Sequence, residues 1–174
     1  MSSIVIVSGC PGSGKTTLAE GLARSSDHGL HLASDVFYRF PTPLIHPTRP
    51  EFHHQNTVIM HALARSAQAF AEGGYHVVLD GIVGPWFLSV FREELAGALE
   101  VSYIVLRVSE SEALRRVRER QGPGASATVR QMVSEFAELG ALNAHAIDTE
   151  DRSREQVLAE ARLGLEAGRF QLPW

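Results

Sequence analysis

Residues 9–16, Gly9-Cys10-Pro11-Gly12-Ser13-Gly14-Lys15-Thr16, follow the apolar run Ile4 to Ser8 directly and open a segment, Thr16 to Arg24, whose Leu18, Leu22 and Ala23 share one helical face. No other feature restricts the fold as much. A strand that ends in a glycine-rich loop and passes straight into a helix is the first unit of a β-α-β chain, which builds a parallel sheet with helices on both faces. The glycines let the loop curl so that successive backbone N–H groups point inward. The helix N-terminus behind them adds the positive end of its dipole. Such a cradle suits phosphate oxygens: Lys15 reaches the β- and γ-phosphates and the Thr16 hydroxyl can ligate Mg²⁺. The pattern therefore predicts a nucleoside triphosphate, ATP or GTP, held with Mg²⁺ by Gly9, Cys10, Pro11, Gly12, Ser13, Gly14, Lys15, Thr16 and the adjoining Thr17.

The rest of the chain keeps the same alternation. Short apolar runs at Leu30 to Ala33, Tyr75 to Leu79, Val101 to Val108 and Ala144 to Ile147 read as strands. Helical spacing begins at Phe52, with Ile59, Met60, Leu63, Ala67 and Phe70 on one stripe, and stops at Gly73-Gly74. A further helix covers Trp86 to Leu95. Ser109 with Glu112, Thr128 with Gln131 and Ser153 with Gln156 have capping-box spacing and mark three more helix starts. Pro41, Pro43, Pro47 and Pro50 forbid a continuous helix from Phe40 to Pro50. The expected architecture is α/β: three αβα layers, a five-stranded parallel sheet, and a short lid at about 116–128 around the break Gln121 to Ala125. Residues 1–174 form one domain in this reading.

Sixteen basic residues stand against twenty acidic ones, a net charge of −4, and Lys15 is the single lysine among them. Arginine supplies ordinary positive charge here, so Lys15 marks a place that needs an ammonium. The acidic balance argues against a broad nucleic-acid-binding face. One cysteine, Cys10, leaves no internal disulfide framework and fits a reducing compartment. The chain start lacks a basic leader and no apolar run reaches membrane-spanning length, so a cytoplasmic protein without a membrane partner is expected.

Two aspartates sit at strand ends, beyond which ligand crevices lie in open α/β sheets. Asp35 follows the second strand and can take the proton of a substrate hydroxyl that attacks the γ-phosphorus; it would equally serve as a helix N-cap. Asp80 follows Val77-Val78-Leu79 and can hold Mg²⁺ through water, or belong to an Asp-Gly turn. Arg116 and Arg120 lie four apart on one helix face, with Arg115 and Arg118 off it, and read either as a solvated charged helix or as a lid closing on the nucleotide. Arg39, Arg49, His53, Gln55 and Asn56, with His46 and His54, crowd the proline-rich loop and the next helix. With Asp35 and Asp80 they are the candidate substrate-binding residues.

With these residues in place, the whole chain resembles the small P-loop kinases of the nucleoside-monophosphate-kinase-like group. Val78-Leu79-Asp80-Gly81 looks like the strand end of adenylate kinases, and Arg116-x-x-x-Arg120 like their lid pair, one arginine at the adenine and one at the phosphates. Ile82-Val83-Gly84-Pro85 replaces the Phe-Pro-Arg that follows in adenylate kinases. The Ser34-Asp35 strand end and the overall length are closer to the shikimate kinase, gluconate kinase and chloramphenicol phosphotransferase branch, although the glycine triplet of shikimate kinases is missing. The resemblance implies a phosphotransferase with Lys15 and Asp35 as catalytic residues and a small polar alcohol, antibiotics among the candidates, as acceptor. The alternatives are a polynucleotide 5′-hydroxyl kinase and a nucleotide-binding regulator without an acceptor.

Overall fold

The computed structural model describes residues 3–45, 49, 51–95, 100–122 and 126–174. Strands β1 (Ser3–Gly9), β2 (Gly29–Ala33), β3 (His76–Asp80), β4 (Glu100–Arg107) and β5 (Ala146–Asp148) form one sheet in the order β2-β3-β1-β4-β5. Every pairing is parallel. Helices α1 (Lys15–Arg24), α2 (Ser34–Phe37), α3 (Glu51–Glu72), α4 (Leu88–Leu95), α5 (Glu110–Gln121), α6 (Ser126–Glu135) and α7 (Arg154–Glu166) complete the element order.

Because side chains alternate along a strand, the two faces of the sheet can be read off the apolar residues. Ile4 and Ile6 of β1, Val77 and Leu79 of β3, and Val101, Tyr103 and Val105 of β4 pack with Ile59, Met60 and Leu63 of α3 and Phe91 of α4. Val5 and Val7, Val78, and Ile104 and Leu106 pack on the other face with Leu18 and Leu22 of α1 and Val157 and Ala161 of α7. Helices on both sides give the three layers expected, and no described helix is long and apolar enough to cross a membrane. The chain end covers what short β5 leaves open along β4. Tyr103 N donates to Phe170 O at 2.8 Å and Leu172 N to Val101 O at 2.9 Å, with Phe170 and Leu172 buried.

Local signals behave unevenly. Ser153 and Gln156 form the full reciprocal capping box at the start of α7. Ser109 caps α5 through Glu112 N, but the Glu112 carboxylate turns to arginines, and Glu150 takes the Ser109 N–H instead. Thr128 caps nothing: α6 already runs from Ser126, which puts Thr128 inside its first turn. Phe70 leaves the buried stripe of α3 and meets Tyr75 edge-on at 6.0 Å between ring centroids. The last strand begins at Ala146 because Gly140–His145 is wound as a 3₁₀ turn. Of the expected lid, 123–125 lie outside the described residues, as does His46.

Candidate active site

The glycine loop leaves β1 at the C-terminal edge of the sheet, where Asp80 ends β3 and Asp35 follows β2. Close approach and backbone handedness dictate its glycines. A Cβ on Gly9, at φ 139°, would lie 2.3 Å from Leu106 O, and one on Gly12, at φ 84°, would lie 2.8 Å from Ala113 O. Gly14, at φ 96°, is the N-cap of α1; it provides no side-chain cap, and the first turn holds no acid. The first amides of α1 are thus left to an external acceptor, at the positive end of the helix. Lys15 Nζ donates to Cys10 O at 2.9 Å. Burial pushes the Lys15 ammonium below its ordinary value against the pull of Asp80 and Asp35, and burial pushes the Cys10 thiol up, so it stays neutral.

Asp80 is fastened at both oxygens. Thr16 Oγ1 donates to Oδ2 at 2.6 Å, and His31 Nε2 lies 2.8 Å from Oδ1. Burial alone would raise the Asp80 carboxyl; the hydrogen bonds from His31 and Thr16, with the charges of His31 and Lys15, outweigh it and leave the group below its ordinary value. The same hydrogen bond raises His31. An ionised Asp80 can only accept, so the proton sits on His31 Nε2. Gly81 fits tightly behind it, a Cβ there lying 2.4 Å from Ser34 Oγ. Ser8 Oγ and Tyr103 OH both donate to Val83 O, at 2.8 and 2.7 Å, which pins the turn after β3.

Asp35 stands in the first turn of α2, whose N-cap is Ala33, so the capping role that the sequence left open is not the one it has. Its exposed carboxylate makes no hydrogen bond or ion pair among the described residues. Asp35, Lys15, Thr16 and Asp80 share the wall of a cleft of about 410 Å³. A second cleft, of about 570 Å³, runs on the far side of the loop between α5 and the loop after β5. Gly12, Gly14, Thr17 and Arg120 line both. One elongated ligand can therefore lie across the loop, with its end presented to Asp35.

Arg116 ties this second cleft together. Its Nε donates to Glu112 Oε1 at 2.7 Å, Nη1 to Gly12 O and Thr149 Oγ1 at 3.3 Å each, and Nη2 to Thr149 O at 3.2 Å. Arg115 and Arg116 hold the Glu112 carboxyl at about 2. Arg120 makes no ion pair among the described residues and reaches both clefts. Arg115, which helical spacing places off the Arg116 face, nonetheless lines the nucleotide-sized cleft while paired to Glu112 and Glu119.

Among the substrate candidates the structure brings Asp35 and Asp80 together and leaves the others off the cleft wall. Arg39 and Arg49 are exposed, Arg49 lying 3.6 Å from Glu51. His53 stacks on Phe87 at 6.3 Å. Gln55 is buried and accepts from Ile45 N at 3.1 Å, while its Nε2 and Asn56 Oδ1 have no partner among the described residues. Sequence reasoning missed His31, Glu112, Thr149, Asp151 and Arg152. The signal was faint: Thr149 to Arg152 follow a strand end, as Asp35 does, but that strand is only three residues long.

A family model described as an AAA domain matches residues 5–135, well over half of the chain. The chain belongs to that family. Its fold is that of the small P-loop kinases, of the shikimate and gluconate kinase type. A sugar kinase from Janibacter sp. HTCC2649 superposes with a TM-score of 0.73 at 20% identity, over 95% of each chain. The APS kinase of Mycobacterium tuberculosis, solved with AMPPNP and APS, gives 0.73 at 18% over 95% of this chain and 98% of its own. The Deinococcus radiodurans tunicamycin resistance protein gives 0.66 at 18% over 100% of both. No curated protein matches this AAA-domain chain in sequence.

Proposed function

We propose that residues 1–174 form one kinase domain, with a lid at about 116–128, that transfers the γ-phosphoryl group of ATP or GTP to the hydroxyl of a small molecule. The observation that carries the reading is the pair of clefts meeting at one loop, with Gly12, Gly14, Thr17 and Arg120 on both walls, and with Lys15 and an Asp35 carboxylate unpaired among the described residues on the acceptor side. The triphosphate lies over the loop amides and Lys15, and its base end lies beside Arg116 and Thr149. Asp35 accepts the proton of the acceptor hydroxyl as that oxygen bonds to the γ-phosphorus and the bond to the β–γ bridging oxygen breaks. Positioning and charge neutralisation supply most of the catalysis in such transfers.

The residues fit Mg²⁺. Among the described residues no cluster of three or more His, Cys, Asp or Glu could hold a metal alone. Magnesium bound with nucleotide needs none, since it keeps waters and takes phosphate oxygens. Thr16 would be its protein ligand, with Asp80 reached through water, and the ion supplies further neutralisation of the phosphates when bound.

The fold shared along its full length with a tunicamycin resistance protein supports including antibiotics among the acceptors tried. The test is a library of sugars, nucleosides, other metabolites and antibiotics screened for ADP production with wild type and Asp35→Asn side by side. One acceptor should give turnover that Asp35→Asn loses by about 10²–10⁴-fold, with nucleotide affinity kept. Nucleotide binding or hydrolysis indifferent both to every acceptor and to Asp35→Asn would instead make the protein a nucleotide-dependent regulator.

A further inference from the structure

We propose that His31 is a positioning residue for the Mg²⁺ site, holding the Asp80 carboxylate in the orientation that serves Thr16; the inference rests on the nucleotide-dependent reading above. Each oxygen of this carboxylate meets a donor from a different layer, Thr16 Oγ1 from α1 at 2.6 Å and His31 Nε2 from β2 at 2.8 Å. The sheet register makes that possible. β2 runs beside β3 with His31 opposite Val78 and Ala33 opposite Asp80. Residues two apart share a face, so His31 and Asp80 point to the side of the sheet that Val78 packs against α1, where Thr16 begins the helix.

Asp80 is only 6% exposed. Without His31, one of its oxygens would be buried with no donor, and the carboxylate would turn to find one. A turned carboxylate would release the Thr16 hydroxyl and leave the place from which it reaches the metal's water, while Lys15 keeps its own partner, the Cys10 carbonyl. His31 prevents this by occupying Oδ1. The fold does not demand a histidine there: position 31 is a half-buried strand residue, which a leucine would serve as well. Partners that orient a metal-site ligand in this way change metal affinity by about 10–100-fold when removed.

The experiment measures the dissociation constant of AMPPNP by calorimetry with and without saturating Mg²⁺, for wild type, His31→Leu and His31→Gln, with thermal melting of each. Metal-free affinity should agree within about twofold across the three. The Mg²⁺-dependent gain in affinity should fall by about 10–100-fold in His31→Leu. It should largely return in His31→Gln, whose amide nitrogen reaches the place of the imidazole Nε2. A full Mg²⁺-dependent gain in a folded His31→Leu overturns the role of His31 and leaves the kinase reading standing. So does a His31→Gln protein that folds yet loses the gain. A wild type that binds no AMPPNP under either condition overturns the kinase reading and this one with it.

Discussion

Lys15 Nζ donates to the Cys10 carbonyl at 2.9 Å, so the chain's single lysine is folded back on the loop that presents it. The contact suits an ammonium, a compact charge with three donors on a flexible stem, which can leave a carbonyl for a phosphate oxygen without reshaping the loop. A guanidinium is planar, forked and bulkier. Lys15→Arg keeps the charge and is expected to lower turnover by about 10²-fold or more, on the scale seen when one preorganised donor is removed. The melting temperature should barely move. Steady-state ADP release with the acceptor found in the screen checks it, and activity within tenfold of wild type would show that charge alone is what the position needs.

The adjacent arginines of α5 should behave differently. Arg116 is held by Glu112, by the loop carbonyl of Gly12 and by Thr149, so it joins three elements. Arg116→Ala leaves those partners unmet and should cost about 1–3 kcal/mol of stability in urea melts, together with nucleotide affinity. Arg115 pairs with Glu112 and Glu119 on its own helix in solvent, where ion pairs contribute little. Arg115→Ala should melt like wild type. Equal melts for the two variants would mean that the bridge to Gly12 and Thr149 carries no weight.

Gly9 and Gly14 separate strain from collision. Both have positive φ, but a Cβ on Gly9 would strike Leu106 O at 2.3 Å, whereas one on Gly14 meets nothing within 4 Å among the described residues. Gly14→Ala should cost roughly 1–2 kcal/mol, the left-handed penalty alone. Gly9→Ala must also push β1 from β4 at the mouth of the loop, and should cost more and abolish AMPPNP binding. Chemical denaturation and calorimetry of the two variants compare them directly; a Gly9→Ala protein that binds AMPPNP normally would refute the close-approach argument.

Most of this architecture is written locally. The eight residues from Gly9 to Thr16 specify a strand-loop-helix unit by themselves, and apolar runs mark the strands because both faces of the sheet are covered. Asp35 and Asp80 could be placed because each ends a recognisable run. His31, Thr149 and Arg152 could not, since their meaning depends on which strands lie side by side. His31 matters only because β2 pairs with β3, and Thr149 only because β5 pairs with β4. Thr128 shows the converse error. A capping pattern at the right spacing was present, but α6 begins two residues earlier and Thr128 lines the cleft that holds Asp35 and Asp80 instead. Density of polar residues was also a poor guide, as Arg39, Arg49 and His53 are exposed away from the cleft wall.

Acid should loosen the brace behind the nucleotide-sized cleft. Glu160 of α7 accepts from Arg169 Nη1 at 2.9 Å and pairs with Arg152, a residue of the cleft wall. Burial would raise its carboxyl, but the hydrogen bonds from the two arginines and their charges outweigh that and hold it below 4.5. A carboxyl lowered on folding stabilises fully above its unfolded value, where both states are ionised. As pH falls through 4.5 the unfolded chain takes up the proton first, and the contribution fades until the folded value is crossed. Glu160→Gln should therefore be less stable than wild type at pH 7, and the difference should shrink steadily below about pH 4.5. Urea melts of both proteins at a series of pH values from 7 downward measure it. A difference that stays constant into acid would show that Glu160 acts through packing rather than through its charge.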